Sequence, residues 1–144
     1  MGITKKYLNE LTYKVIGCAI EVHKHLGPGL LESVYEKCFL KELTLQGIAF
    51  KSQIWVPIQY KGLLLNTELR LDVLVEEILC VELKAKEGLL PIYDAILFSY
   101  MQMWQKPKGI LIRRMLCINF HCINIFKEGQ KTLVNTLFTL LPEE

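Results

Sequence analysis

The sequence predicts one α/β domain. Three observations predict it: the 144 residues fit a single domain with a buried core, the chain opens with two segments of helical period, and the pattern then changes to period two.

In the first segment Leu8, Leu11, Val15, Cys18, Val22 and Leu26 recur at steps of three and four, one face of a helix. Ile16, Ile20 and His23 form a second stripe, so this helix is expected to be sandwiched, with His23 a core histidine before a ligand. Gly27, Pro28 and Gly29 stop it. A second helix is expected from Leu30 to Gln46, closing at Gly47, with Leu31, Val34, Tyr35, Cys38 and Leu43 inward and Glu32 bordering that apolar surface. Alternation of Ile54, Val56, Ile58 and Tyr60 with polar neighbours reads as a strand, placed at an edge by Pro57, with its turn at Lys61-Gly62. Leu65 to Val75 and Ile78 to Lys84 then form a hairpin about Glu76-Glu77. Pro91 opens a third helix whose shared face is Ile92, Ile96, Ser99, Tyr100 and Met103. Gly109 to Ile112 and Cys117 to Phe126 look like further strand, and Gln130 to Leu141 is either helix or strand.

Hydrophobic residues make up 51% of the chain, yet charges break every apolar run before it reaches bilayer length, so no transmembrane helix is expected. Met1 to Tyr13 is too polar for a secretory signal, and a cytoplasmic location is expected. The five cysteines lie among apolar neighbours without CxxC spacing and read as reduced thiols. Cys117, His121 and Cys122 match no usual zinc spacing. A net charge of +2 neither requires nor opposes a nucleic-acid partner. So apolar a short chain cannot hide all its hydrophobic surface, and a homodimer is expected.

Asp72, Glu82 and Lys84 sit inside what should be the most buried strands. An unpaired buried charge costs several kcal/mol, and a metal ion would explain them, the other reading being a salt-bridge network. Glu82 and Lys84 are two apart and share a side of their strand. A two-residue turn at Glu76-Glu77 would pair Asp72 with Val81, whereas a three-residue turn or a bulge would pair it with Glu82, so the chemistry predicts an irregular turn. Two carboxylates and the Leu83 carbonyl then offer hard oxygens suited to Mg²⁺ or Mn²⁺. Lys84 would orient a water, help deprotonate it or neutralise charge on an attacked phosphate.

Gly29-Leu30-Leu31-Glu32-Ser33-Val34-Tyr35, Arg70-Leu71-Asp72 and Val81-Glu82-Leu83-Lys84, in that order, resemble the GxxExxY family. The likeness runs from about Leu8 to Lys131. It implies a restriction-endonuclease-like PD-(D/E)XK fold, a mixed central sheet flanked by helices. It also implies a metal-dependent nuclease acting on DNA or RNA, with Glu32, Asp72 and Glu82 around the metal, Lys84 as catalytic lysine, and Tyr35 and His23 as accessory positions. The other reading is an inactive member serving as a nucleic-acid-binding or protein-interaction module. Two departures stand out: Ile96 lies where the family usually has glutamine, and Arg113 to Ile118 separates Gly109-Ile110-Leu111-Ile112 from Asn119-Phe120.

Overall fold

Thr4 starts the first helix: in extended backbone, its hydroxyl accepts from the Tyr7 N–H at 3.0 Å, and α1 runs from Lys5 to Leu26. The computed structural model describes residues 2–27, 29–56, 58–65, 70–84, 91–104, 108–113 and 130–144. Gly27, at φ 67, ends α1 by returning its N–H to the His23 carbonyl at 2.8 Å. Both apolar stripes are covered: Leu8, Leu11, Val15, Cys18 and Val22 are buried, and so are Ile16 and His23.

Helix α2 spans Glu32–Leu45 and buries Tyr35, Phe39 and Leu43. These are four apart and stay on one face. The expected inward set holds for Tyr35 and Leu43, and half-buried Cys38 packs against the same core. Leu31, however, stands ahead of the helix and is 74% exposed, and Val34 lies off the buried face.

The remaining elements are β1 (Phe50–Trp55), β2 (Ile58–Tyr60), β3 (Leu63–Leu65), β4 (Arg70–Val75), β5 (Leu79–Lys84), α3 (Pro91–Trp104), β6 (Lys108–Arg113), β7 (Gln130–Val134) and α4 (Thr136–Thr139). Two expected strands are therefore divided: Ile54 to Tyr60 falls into β1 and β2, and Leu65 to Val75 into β3 and β4. β2 and β3 form a separate hairpin on Lys61 and Gly62, whose positive φ of 46 and 84 match a primed turn. The main sheet has the order β1-β4-β5-β6-β7, with β1 at an edge as expected. β5 and β6 are parallel, joined through α3, and every other neighbouring pair is antiparallel. Expectations that fall on Pro57 and on 114–129, including Cys117, His121, Cys122 and most of the Arg113 to Ile118 segment, lie outside the described residues.

The sheet separates two cores. Val73, Val75, Leu79, Val81 and Leu83 pack with α1 and α2, while Leu71, Leu74 and Cys80 pack with Leu97, Tyr100 and Met101 of α3. The expected face of α3 holds only in part: Tyr100 is buried, but Ile96 is 37% exposed and Ser99 is exposed, Leu97 and Met101 being buried in their place. The side chains of Ile92 and Met103 lie outside the described residues. The hydrophobic pattern of α3 is dense enough to permit several inward faces, and close packing on β6 selects this one. A Cβ on Gly109 would lie 2.8 Å from the Met101 sulfur and 3.1 Å from Leu97 Cγ.

β1 and β4 change faces part-way along. Phe50 packs with the first core and Ile54 with the second, although residues four apart on a regular strand face the same way. On β4, Val73 belongs to the first core and Leu71 to the second. The register pairs Ser52 with Val73 and Ile54 with Leu71, so both strands reverse at the position shared by Gln53 and Asp72. Gln53 has φ 51 there.

Candidate active site

The turn between β4 and β5 decides which charges meet. Val75 pairs with Leu79, leaving Glu76, Glu77 and Ile78 between the strands, with φ 51 at Glu76 and 59 at Glu77. It is a three-residue loop, one of the two irregular forms that the chemistry allowed. The paired register ends at Val73 and Val81, and one further step sets Asp72 opposite Glu82.

Beyond that point the carboxylates replace the ladder. The Asp72 N–H donates to Glu82 Oε1 at 3.0 Å, and the Leu83 N–H donates to Asp72 Oδ2 at 2.8 Å. Two backbone donors that a regular sheet would spend on carbonyls are thus held by acidic side chains. Lys84 Nζ donates to Glu82 Oε2 at 3.3 Å. Glu82 is only 4% exposed, and burial together with the neighbouring Asp72 carboxylate pushes its pKa up to about 7 despite Lys84. Burial pulls the Lys84 ammonium down, but Glu82, Asp72 and Glu32 together outweigh it, and the pKa stands above its ordinary value.

A family model described as PD-(D/E)XK nuclease superfamily matches residues 9–131. The chain belongs to the PD-(D/E)XK nuclease superfamily. Its five-stranded mixed sheet flanked by helices is the restriction-endonuclease-like PD-(D/E)XK architecture. No curated protein and no solved structure matches the chain significantly. Among the described residues no helix is long and apolar enough to cross a membrane.

Within this PD-(D/E)XK domain the expected site residues separate. Asp72, Glu82, Leu83 and Lys84 come together through the contacts above. Glu32, at the start of α2, acts on Lys84 through its charge. Among the described residues, however, no three Asp, Glu, His or Cys side chains are placed to hold one ion, so the expected convergence of Glu32 with Asp72 and Glu82 on a shared point is not seen. Tyr35 is buried, its hydroxyl donating to the Gly27 carbonyl at 2.6 Å and accepting from the Leu30 N–H at 3.1 Å. It ties down the loop that delivers Glu32. His23 is buried in the last turn of α1.

Three neighbours escaped the sequence reading. Gln53 Nε2 donates to Glu36 Oε1 at 2.7 Å and reaches Asp72 Oδ1 at 3.4 Å. Glu36 follows Glu32 by one helical turn, a spacing that could have flagged it. The Tyr100 phenol is raised by burial and then by the charge of Glu82, which places α3 beside the same carboxylates. Ile96 lies one turn before Tyr100 and is exposed.

The residues fit a divalent cation of the Mg²⁺ or Mn²⁺ type, which takes one or two carboxylates and keeps several waters. Asp72 and Glu82 are hard oxygen donors held side by side, and burial and the Asp72 charge make the ionised Glu82 carboxylate costly despite Lys84, a cost that a bound cation would offset.

Proposed function

We propose that this protein is a Mg²⁺- or Mn²⁺-dependent nuclease hydrolysing a phosphodiester bond of DNA or RNA. The observation that carries the reading is the meeting of Asp72 and Glu82 beyond the paired part of the β4–β5 hairpin, with Lys84 3.3 Å from Glu82, in a chain of this superfamily. Asp72 and Glu82 would hold the cation with the Leu83 carbonyl. When bound, such an ion supplies Lewis-acid stabilisation of the phosphate and lowers the pKa of water. Lys84, kept protonated by its carboxylate neighbours, neutralises charge developing on the attacked phosphate. Glu32 contributes to the field that holds Lys84 charged. Gly29, Glu32 and Tyr35 support a place in the GxxExxY subfamily.

One observation favours a second reading, an inactive member that binds nucleic acid or protein. Ile96 leaves an apolar, exposed side chain where the resembling family usually carries glutamine. Hydrolysis of labelled single- and double-stranded DNA and RNA, with Mg²⁺ or Mn²⁺ and with EDTA, separates the two. Wild type cleaves in the metal-containing samples alone. Asp72→Ala and Glu82→Ala lose both metal binding and cleavage, whereas Lys84→Ala keeps metal affinity unchanged or slightly raised and loses about 100-fold or more in turnover. Ile96→Gln raises turnover. No cleavage by wild type, or equal cleavage by Lys84→Ala, overturns the enzyme reading in favour of the binding module.

We also infer a single-domain, cytoplasmic protein that forms a homodimer. Exposed Leu31, Val34, Leu63 and Leu64 support the association. Light scattering at micromolar concentration should give twice the 16.7 kDa chain mass. A monomer mass refutes the dimer and leaves the site untouched.

A further inference from the structure

The geometry points to Gln53 as a positioning residue that fixes the Asp72 carboxylate for metal binding and couples it to Glu36 on α2. The inference rests on the metal-site reading above.

Asp72 is held from both sides of its strand. Leu83 on β5 donates to Oδ2 at 2.8 Å, and Gln53 on β1 approaches Oδ1 at 3.4 Å. A carboxylate with a donor on each oxygen has its plane set by the two flanking strands. The orientation of the Gln53 amide follows from chemistry: both partners are carboxylates, so the NH₂ group must face them, since the carbonyl end would set oxygen against oxygen. One amide thereby links two acidic groups from different elements. It makes its shorter bond, 2.7 Å, to Glu36 on the helix that also carries Glu32.

The backbone supplies the second, independent observation. Gln53 has φ 51, in the left-handed region that a residue with a Cβ enters at a cost, in the middle of β1. Both β1 and β4 change faces at this pair, Phe50 and Val73 packing with one core and Ile54 and Leu71 with the other. The reversal brings the Gln53 side chain to the acidic group, where an uninterrupted strand would follow its alternation. Strain of this kind persists where surrounding structure over-determines it, and it clusters at functional sites. A glycine at this position would relieve the backbone and lose the amide.

Strain and positioning therefore predict opposite signs for stability and for metal affinity. The test is Mn²⁺ binding by calorimetry and metal-free thermal unfolding of wild type, Gln53→Gly and Gln53→Asn. Asparagine tolerates the left-handed region but is one methylene shorter. The expected result is an unchanged or higher unfolding temperature for both variants, with Mn²⁺ affinity reduced about tenfold, the low end for losing a residue that orients a ligand. Wild type that binds Mn²⁺ with both variants binding equally well overturns the role of Gln53 alone. Wild type that binds no Mn²⁺ overturns the metal site and this inference with it. A fall in stability without a fall in affinity makes Gln53 a purely structural residue and also refutes the proposal. If Gln53→Gly fails to fold, Gln53→Asn decides.

Discussion

At the scale of single residues, the telling group is Glu82. Its carboxyl is raised from an ordinary 4.5 to about 7, first by burial and then by Asp72, so the folded, metal-free chain holds a proton that the unfolded chain releases. The stability this contributes is fully present below about pH 4.5 and is lost as pH rises to about 7. The loss is up to ~3 kcal/mol across that window. Lys84, raised above 10.5, titrates outside it. In EDTA, wild type should therefore lose stability between pH 5 and pH 7.5 relative to Glu82→Gln, as measured by chemical denaturation. A divalent cation needs the ionised carboxylate, so the stabilisation added by Mn²⁺ should be larger at pH 7.5 than at pH 5. Parallel pH profiles for the two proteins would show that Glu82 is not held above its ordinary value.

At the scale of elements, the site depends on the turn and on how closely α3 lies on β6. The need to bring two carboxylates together predicted an irregular turn from Asp72 and Glu82 alone, either a three-residue loop or a bulge, and Glu76, Glu77 and Ile78 form the loop. The face reversal at Gln53 was not legible, because Gln53 looks like any outward polar residue of an alternating strand, and a positive φ leaves no mark in a side chain of that type. The inward set of α2 was misjudged in part for a related reason: Leu31 and Val34 are apolar, but helix start and face are chosen by packing rather than composition. Close approach at Gly109 could not be read either, since a glycine in a strand does not say what presses on it. It yields a prediction. Cys80 pairs with Gly109, and an added Cβ would meet Met101 and Leu97 within 3.1 Å. Gly109→Val should therefore cost about 1–3 kcal/mol by overpacking, read as a lowered denaturation midpoint at unchanged slope. Gly109→Val in a Leu97→Ala background should recover part of that loss, which a cause remote from α3 would not permit.

At the scale of the whole molecule, the two ends of the chain meet at one helix terminus. The first N–H groups of an α-helix have no partner within it and need one from elsewhere. In α1, Lys5 N–H donates to the Pro142 carbonyl at 2.8 Å, Lys6 N–H to the Glu143 carbonyl at 3.0 Å, and Tyr7 N–H to the Thr4 hydroxyl at 3.0 Å. The segment after α4 thus completes the cap of α1, from the far end of the sequence. Nothing in Leu141 to Glu144 signals this, because the acceptors are backbone carbonyls, which every residue possesses. The Lys5–Glu143 ion pair at 2.9 Å adds little, since the Glu143 side chain is 80% exposed. A chain ended at Leu141 loses both backbone acceptors while keeping Thr4 and the hydrophobic contacts of Phe138 and Leu141 with the first core. It should be less stable by about 1–2 kcal/mol, the net value of two backbone hydrogen bonds partly replaced by water. Amide exchange separates this cause from a general loosening: Lys5 and Lys6 should lose their protection while Leu8, which donates to the Thr4 carbonyl at 3.1 Å, keeps it. Equal loss along all of α1 would mean that the terminal segment supports the helix through packing, and unchanged exchange at Lys5 and Lys6 would mean that the clasp is not formed in solution.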